Sequence, residues 1–185
     1  MRKVITAAAA TIALASMQAS AAEVKIDDLI VAKTISDAQR DSELKAAEGF
    51  YQFWNTGDES LLKAVISPDF TDHTLPPGRP QGPQGPAFAS KHFRAAAPDL
   101  IVEIRKLVVG NDYVTVHMEF RGHFTGTFGK AKGQGQSIDF IATDLLKIAD
   151  GRVTDNWHIE DNLTLLSRAS PKSKNRGLVT LSSSP

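Results

Sequence analysis

The sequence predicts an α+β fold: helices first, then an antiparallel sheet packing one face onto them. Two pattern changes and the chain length predict it. Up to Ala97 apolar residues recur at helical spacing between capping and breaker signals, and after Leu100 the period becomes two, with turn signals at Gly110-Asn111-Asp112 and Asp150-Gly151. The 185 residues suit one domain with a real core.

The first 21 residues are set apart. Arg2 and Lys3 form a positive start, Val4–Ser16 is an uncharged and mostly apolar run, and Ala19-Ser20-Ala21 is an A-x-A cleavage site. Residues 1–21 therefore read as a secretory signal peptide cut after Ala21 or Ala22, and the protein as exported to the periplasm or secreted. The run falls short of the roughly 20 apolar residues of a membrane span, so no membrane anchor is expected. Removing 21 residues from 185 leaves 164, with 19 basic against 21 acidic side chains once Arg2 and Lys3 are gone. That balance carries no electrostatic footprint for nucleic acid. The chain has no cysteine, which excludes disulfides, thiolate nucleophiles and thiolate metal sites.

Residues 22–35 are a weakly patterned lead. Helix 1 opens on the capping box Ser36-Asp37-Ala38-Gln39. Leu44, Ala47, Tyr51 and Trp54 form its apolar stripe, Phe50 and Phe53 widen it, and Asn55-Thr56-Gly57-Asp58 stops it. A second helix covers Glu59–Ile66, and Phe70–Leu75 is a short extended piece. The Pro- and Gly-dense stretch Pro76–Pro86 is a loop. A third helix covers Ala87–Ala97. Four strands follow, at Ile101–Val109, Tyr113–Arg121, Ser137–Ala149 and Arg152–Leu165, with a Gly-rich loop over Gly126–Gly135. The domain spans 36–168, and 169–185 is a polar tail expected to be disordered.

Alternation sorts the side chains by face. In the third strand Ile138, Phe140, Ala142, Asp144, Leu146 and Ile148 share a row, so Asp144 points into the core, where an ionised carboxylate needs a partner or a raised pKa. In the last strand the row Val153, Asp155, Trp157, Ile159, Asp161 reads as inward. The polar row Arg152, Thr154, Asn156, His158, Glu160 reads as facing water or a partner subunit. If Asp150 and Gly151 are the turn, Asp144 faces Trp157 and Asp161 faces Phe140. The two carboxylates then line one surface about 13 Å apart. Either one also has a structural reading, Asp144 as a buried carboxylate bonded to a backbone N–H, Asp161 as a strand-end aspartate bonded to a loop. His73 borders the Pro/Gly loop, at the expected mouth of a pocket. No spaced histidine pair suggests a metal site, and neither a nucleophile elbow nor a phosphate-binding loop is present.

Taken in order, Phe50-Tyr51-x-x-Trp54, Phe70-x-x-His73, Pro98-Asp99-Leu100, Gly110-Asn111-Asp112-x-Val114, Gly122-x-x-x-Gly126 and Asp150-Gly151-Arg152-Val153-x-x-x-Trp157-x-x-x-Asp161 resemble the SnoaL-like polyketide cyclases of the nuclear transport factor 2-like superfamily, over residues 38–168. The resemblance implies a cone: a curved antiparallel sheet on three N-terminal helices, with a pocket at the open end and dimers formed through the sheet. It implies a cofactor-free intramolecular aldol closure with Asp161 as acid/base, His73 at the pocket rim and Asp144 matching the aspartate of a related subgroup. Tyr51, Trp54, Phe140 and Trp157 are the expected lining for a small apolar ligand. Many relatives read Gly-Thr-His-x-Gly where this chain has Gly122-His123-Phe124-Thr125-Gly126, which moves the histidine by one position.

Three functions fit the sequence. The first is a cofactor-independent acid/base enzyme on a small apolar carbonyl compound, with Asp161 abstracting the proton and Asp144 or His73 holding the enolate. The second is an exported binding module of the same fold. The third is a structural dimer whose pocket is filled by its own aromatic side chains. One scaffold hosts all three, so fold alone does not choose among them.

Overall fold

The computed structural model describes residues 24–169, so the signal peptide expected at 1–21 and the expected tail beyond Ala169 lie outside the described residues. Helix α1 (Asp37–Thr56) starts where the capping box predicts, with Ser36 Oγ accepting from the Gln39 N–H at 3.2 Å. It stops at Gly57, whose left-handed φ of 74° lets its N–H reach the Phe53 carbonyl at 2.7 Å. The stripe buries Ala46, Ala47, Phe50, Tyr51, Phe53 and Trp54. Each large apolar side chain so removed from water contributes about 1.5–3 kcal/mol. Helix α2 (Glu59–Val65) is capped by Asp58, strand β2 (Ile66–Asp72) follows it directly, and helix α3 (Gln84–Ala96) begins inside the expected loop.

The central sheet is the predicted meander: β3 (Ile101–Gly110), β4 (Tyr113–Phe124), β7 (Gln136–Ala149) and β8 (Arg152–Glu160). Asp150 and Gly151 both have positive φ, 50° and 69°, as the tight turn between β7 and β8 requires. A small hairpin, β5 (Thr127–Phe128) and β6 (Ala131–Lys132), occupies the Gly-rich loop. The sheet is not wholly antiparallel. The lead supplies an edge strand, β1 (Leu29–Val31), parallel to β3, and β2 lies parallel to β8 at the other edge, giving the order β1-β3-β4-β7-β8-β2. The curved sheet packs its inner face on α1. No helix among the described residues is long and apolar enough to cross a membrane.

The last strand departs from the sequence expectation twice. Ala149 pairs with Arg152 and Ile148 with Val153, but from Lys147 onward the register advances by one: Lys147 faces Asp155, Asp144 faces His158 and Leu145 faces Trp157. The extra residue is Thr154, whose Oγ1 donates to the Lys147 carbonyl at 3.3 Å. A one-residue bulge in a period-two structure moves every later side chain to the other face. Asn156, His158 and Glu160 therefore point inward, while Trp157 and Ile159 point outward, with Ile159 77% exposed. The expected pairings of Asp144 with Trp157 and Asp161 with Phe140 do not form. The strand also ends at Glu160, and residues assigned to it form helix α4 (Asn162–Ala169).

Candidate active site

The inner face of the cone holds one polar cluster inside an aromatic wall. Phe50, Tyr51 and Trp54 of α1, Phe70 of β2, and Met118 and Phe120 of β4 form the wall. Asp72 of β2, Arg79 of the loop, Asp144 of β7, and Asn156, His158 and Glu160 of β8 supply the polar groups. The enclosed cavity is narrow, about 20 Å³, on the order of one water molecule.

Asp144 is at its centre. Its side chain is buried, and the Tyr51 hydroxyl donates to Oδ2 at 2.6 Å. Burial pushes the carboxyl up to about 6; the Tyr51 bond and the neighbouring His158 pull it partly back, while Glu160 and Asp72 push it further up. Burial, and then the charge of Asp144, hold the Tyr51 phenol well above its ordinary value, so Tyr51 stays a proton donor in this bond. Asp72 is fixed from both sides: its Oδ1 accepts from the Thr74 N–H at 2.9 Å, and Gln81 clasps its backbone, accepting from the N–H at 2.8 Å and donating to the carbonyl at 2.9 Å. Asn156 is only 6% exposed and its Oδ1 has no hydrogen-bond partner.

The sequence-derived candidates separate. Asp144, Tyr51 and Trp54 line the cavity. Phe140 is buried beside it, stacked on Phe120 with ring centres 4.9 Å apart. His73 and Trp157 lie on the outer face, stacked on each other at 4.1 Å, and His73 Nε2 contacts Asp155 Oδ1 at 2.7 Å. His73 follows Asp72 in an extended chain, so when Asp72 turns inward His73 turns outward. Asp161 does not point inward: it caps α4, with Oδ1 accepting from the Thr164 N–H at 3.0 Å and Oδ2 from the Thr164 hydroxyl at 2.7 Å. Those bonds hold its carboxyl below the usual range, opposite to the shift that readies a base near neutral pH.

Asp72, Arg79, Asn156, His158 and Glu160 were not among the sequence candidates. The signal for three of them was the row Asn156, His158, Glu160 itself, polar side chains at alternate positions on the strand next to Asp144. Among the described residues, no group of three or more His, Cys, Asp or Glu side chains is arranged to hold a metal ion.

A curved sheet closed over one amphipathic helix, around a buried carboxylate facing a histidine, places the protein among the nuclear transport factor 2-like cones. Within that class the chain belongs to the SnoaL-like polyketide cyclase family, whose model matches residues 45–168. It is similar to a candidate polyketide cyclase from Bacillus cereus ATCC 10987, at 37% identity over 80% of this chain and 93% of that one, with a TM-score of 0.73. It is also similar to IdmH, a candidate polyketide cyclase from Streptomyces antibioticus, at 25% identity over 70% and 96% of the two chains, with a TM-score of 0.61. A protein of ketosteroid isomerase-like fold from Catenulispora acidiphila DSM 44928, solved with trimethylamine, shares the fold at 16% identity, over 68% of this chain and 92% of that one, with a TM-score of 0.54. No curated protein matches the sequence.

Proposed function

We propose that the protein is a cofactor-independent acid/base enzyme of cyclase, isomerase or lyase type, exported after removal of residues 1–21, and acting on a small apolar carbonyl compound. One observation carries the reading: Asp144 is buried in an aromatic cavity, held by Tyr51, and has a carboxyl pushed up to about 6. Such a carboxylate is ionised at neutral pH yet basic enough to take a proton from carbon next to a carbonyl. The C–H bond breaks, the proton goes to the Asp144 oxygen that Tyr51 does not hold, and the electron pair moves onto the carbonyl oxygen. His158 donates a hydrogen bond to that enolate oxygen. Return of the proton to another carbon gives isomerisation; attack of the enolate carbon on a second carbonyl breaks that C=O π bond, closes the ring, and leaves an alkoxide that takes the proton back from Asp144.

Family membership supports this reading, since the family's name is that of a cyclase. The narrow cavity favours one second reading, a structural domain whose pocket is filled by its own aromatic side chains. The outer sheet face supports a homodimer, because it exposes Ile159, Ile141, Tyr113 and Leu145 on neighbouring strands. The test is to incubate wild type and Asp144→Asn in heavy water with small ketones, aromatic polyketide-like compounds and steroid-like enones, following loss of the α-hydrogen signal by NMR. The enzyme reading expects exchange or product with wild type and a loss of about 10²–10⁴-fold in the variant. Binding by both proteins with turnover by neither supports the exported binding module, and binding by neither supports the structural domain.

A further inference from the structure

Arg79 borders two separate spaces. Its side chain lines the inner cavity with Asp72 and Asn156, and it also lines an outer groove of about 400 Å³. The groove runs along α3, walled by Pro77, Phe88, His92, Phe93 and Phe128. Its volume lies within the range of small-molecule pockets. The inner cavity, at about 20 Å³, admits one small functional group, so the body of any ligand larger than that must lie elsewhere.

The loop presents Arg79 by construction. Gly78 and Gly82 take positive φ of 86° and 82°, conformations that suit glycine, and Gln81 pins the loop to the backbone of Asp72. The Arg79 side chain is 13% exposed and forms a loose ion pair with Asp72, Nη1 to Oδ2 3.9 Å, beyond hydrogen-bond length. A guanidinium loosely paired with Asp72 thus lines both the small polar cavity and the apolar groove.

We propose that Arg79 is a specificity-determining residue: it receives an anionic oxygen of a ligand whose apolar ring system fills the outer groove, and so sets the adjoining carbon before Asp144. The consequence for turnover rests on the acid/base reading above, whereas the binding preference does not. The planar fork suits a carboxylate or an ionised enol, which can accept two parallel N–H bonds.

The test is calorimetric titration of the purified protein with 2-naphthoate and with 2-naphthamide, which share the ring system and differ in charge. Wild type is expected to favour the naphthoate by roughly tenfold or more, the size of a charge-assisted pair. Arg79→Gln is expected to erase the preference while still binding the amide, and Arg79→Lys, with the charge but not the fork, to keep part of it. Asp144→Asn is expected to retain the preference even where α-hydrogen exchange is lost, so failure of the acid/base reading and failure of this one read out separately. Equal affinities in wild type, a preference that survives Arg79→Gln in a variant with native circular dichroism, or no binding of either probe would each overturn the proposal.

Discussion

Asp144 and His158 are cross-strand partners on the cavity face of β7 and β8, and His158 is one of the groups that draw the Asp144 carboxyl back toward ionisation. The same cavity holds the fully buried Tyr51 and two further carboxylates, Glu160 and Asp72. Opposed influences of this kind are how a fold brings a carboxylic acid into range for proton transfer near neutral pH.

Asp144 costs stability at neutral pH. Its folded pKa, about 6, lies above the ordinary 3.8, so the folded state binds the proton more tightly than the unfolded chain does. Stability from this group is present below about pH 4 and is lost as pH rises through about 6. Asp144→Asn keeps an acceptor for Tyr51 and removes the charge. It is expected to stabilise the protein at pH 7.5 by up to about 3 kcal/mol, because a tenfold change in proton affinity is worth about 1.36 kcal/mol. Thermal unfolding of both proteins at pH 7.5 and pH 4 checks this; the gain is expected to shrink at the lower pH.

The rate has its own acid limb. Asp144 must be ionised to accept a proton, so kcat/KM for any compound turned over is expected to fall as pH drops below about 6. A pH profile that stays flat from 7 to 4.5 would remove Asp144 from the role of base.

His158→Gln tests the other half of the pair. Glutamine can donate a hydrogen bond but cannot exchange a proton near neutral pH, so kcat is expected to fall about 10²-fold or more if His158 supplies a proton, and less if it only donates a bond. Steady-state kinetics separates the two, and unchanged kinetics would place His158 outside the reaction.

The outer face gives a prediction about assembly. Ile159 is 77% exposed beside Thr143, with Trp157 and Leu145 next to it. Analytical ultracentrifugation is expected to show a dimer for wild type and a monomer for Ile159→Lys, with unchanged circular dichroism. A monomeric wild type would leave this face without the partner proposed for it.

The fold was legible wherever local rules act alone. The Ser36 capping box, the Gly57 stop and the Asp150-Gly151 turn each set a boundary through their own backbone chemistry. Asp144 was legible as inward because β7 alternates without a break. The face of Asn156, His158 and Glu160 was not, because the extra residue at Thr154 leaves no mark on composition and reverses parity for the rest of the strand. Asp161 was misplaced for a related reason: Leu163 and Leu165 alternate like a strand, while Asp161 and Thr164 have the spacing of a helix cap. The parallel edges β1 and β2 come from pairing between distant segments, which local periodicity does not encode.

By turning His158 toward Asp144, the bulge at Thr154 makes Asp144, and not Asp161, the proposed base. The most direct measurement compares Asp144→Asn and Asp161→Asn in α-hydrogen exchange with a compound that wild type turns over. Asp144→Asn is expected to lose about 10²-fold or more and Asp161→Asn to stay close to wild type, because Asp161 only caps α4. The reverse result, with exchange lost in Asp161→Asn and kept in Asp144→Asn, would overturn that assignment.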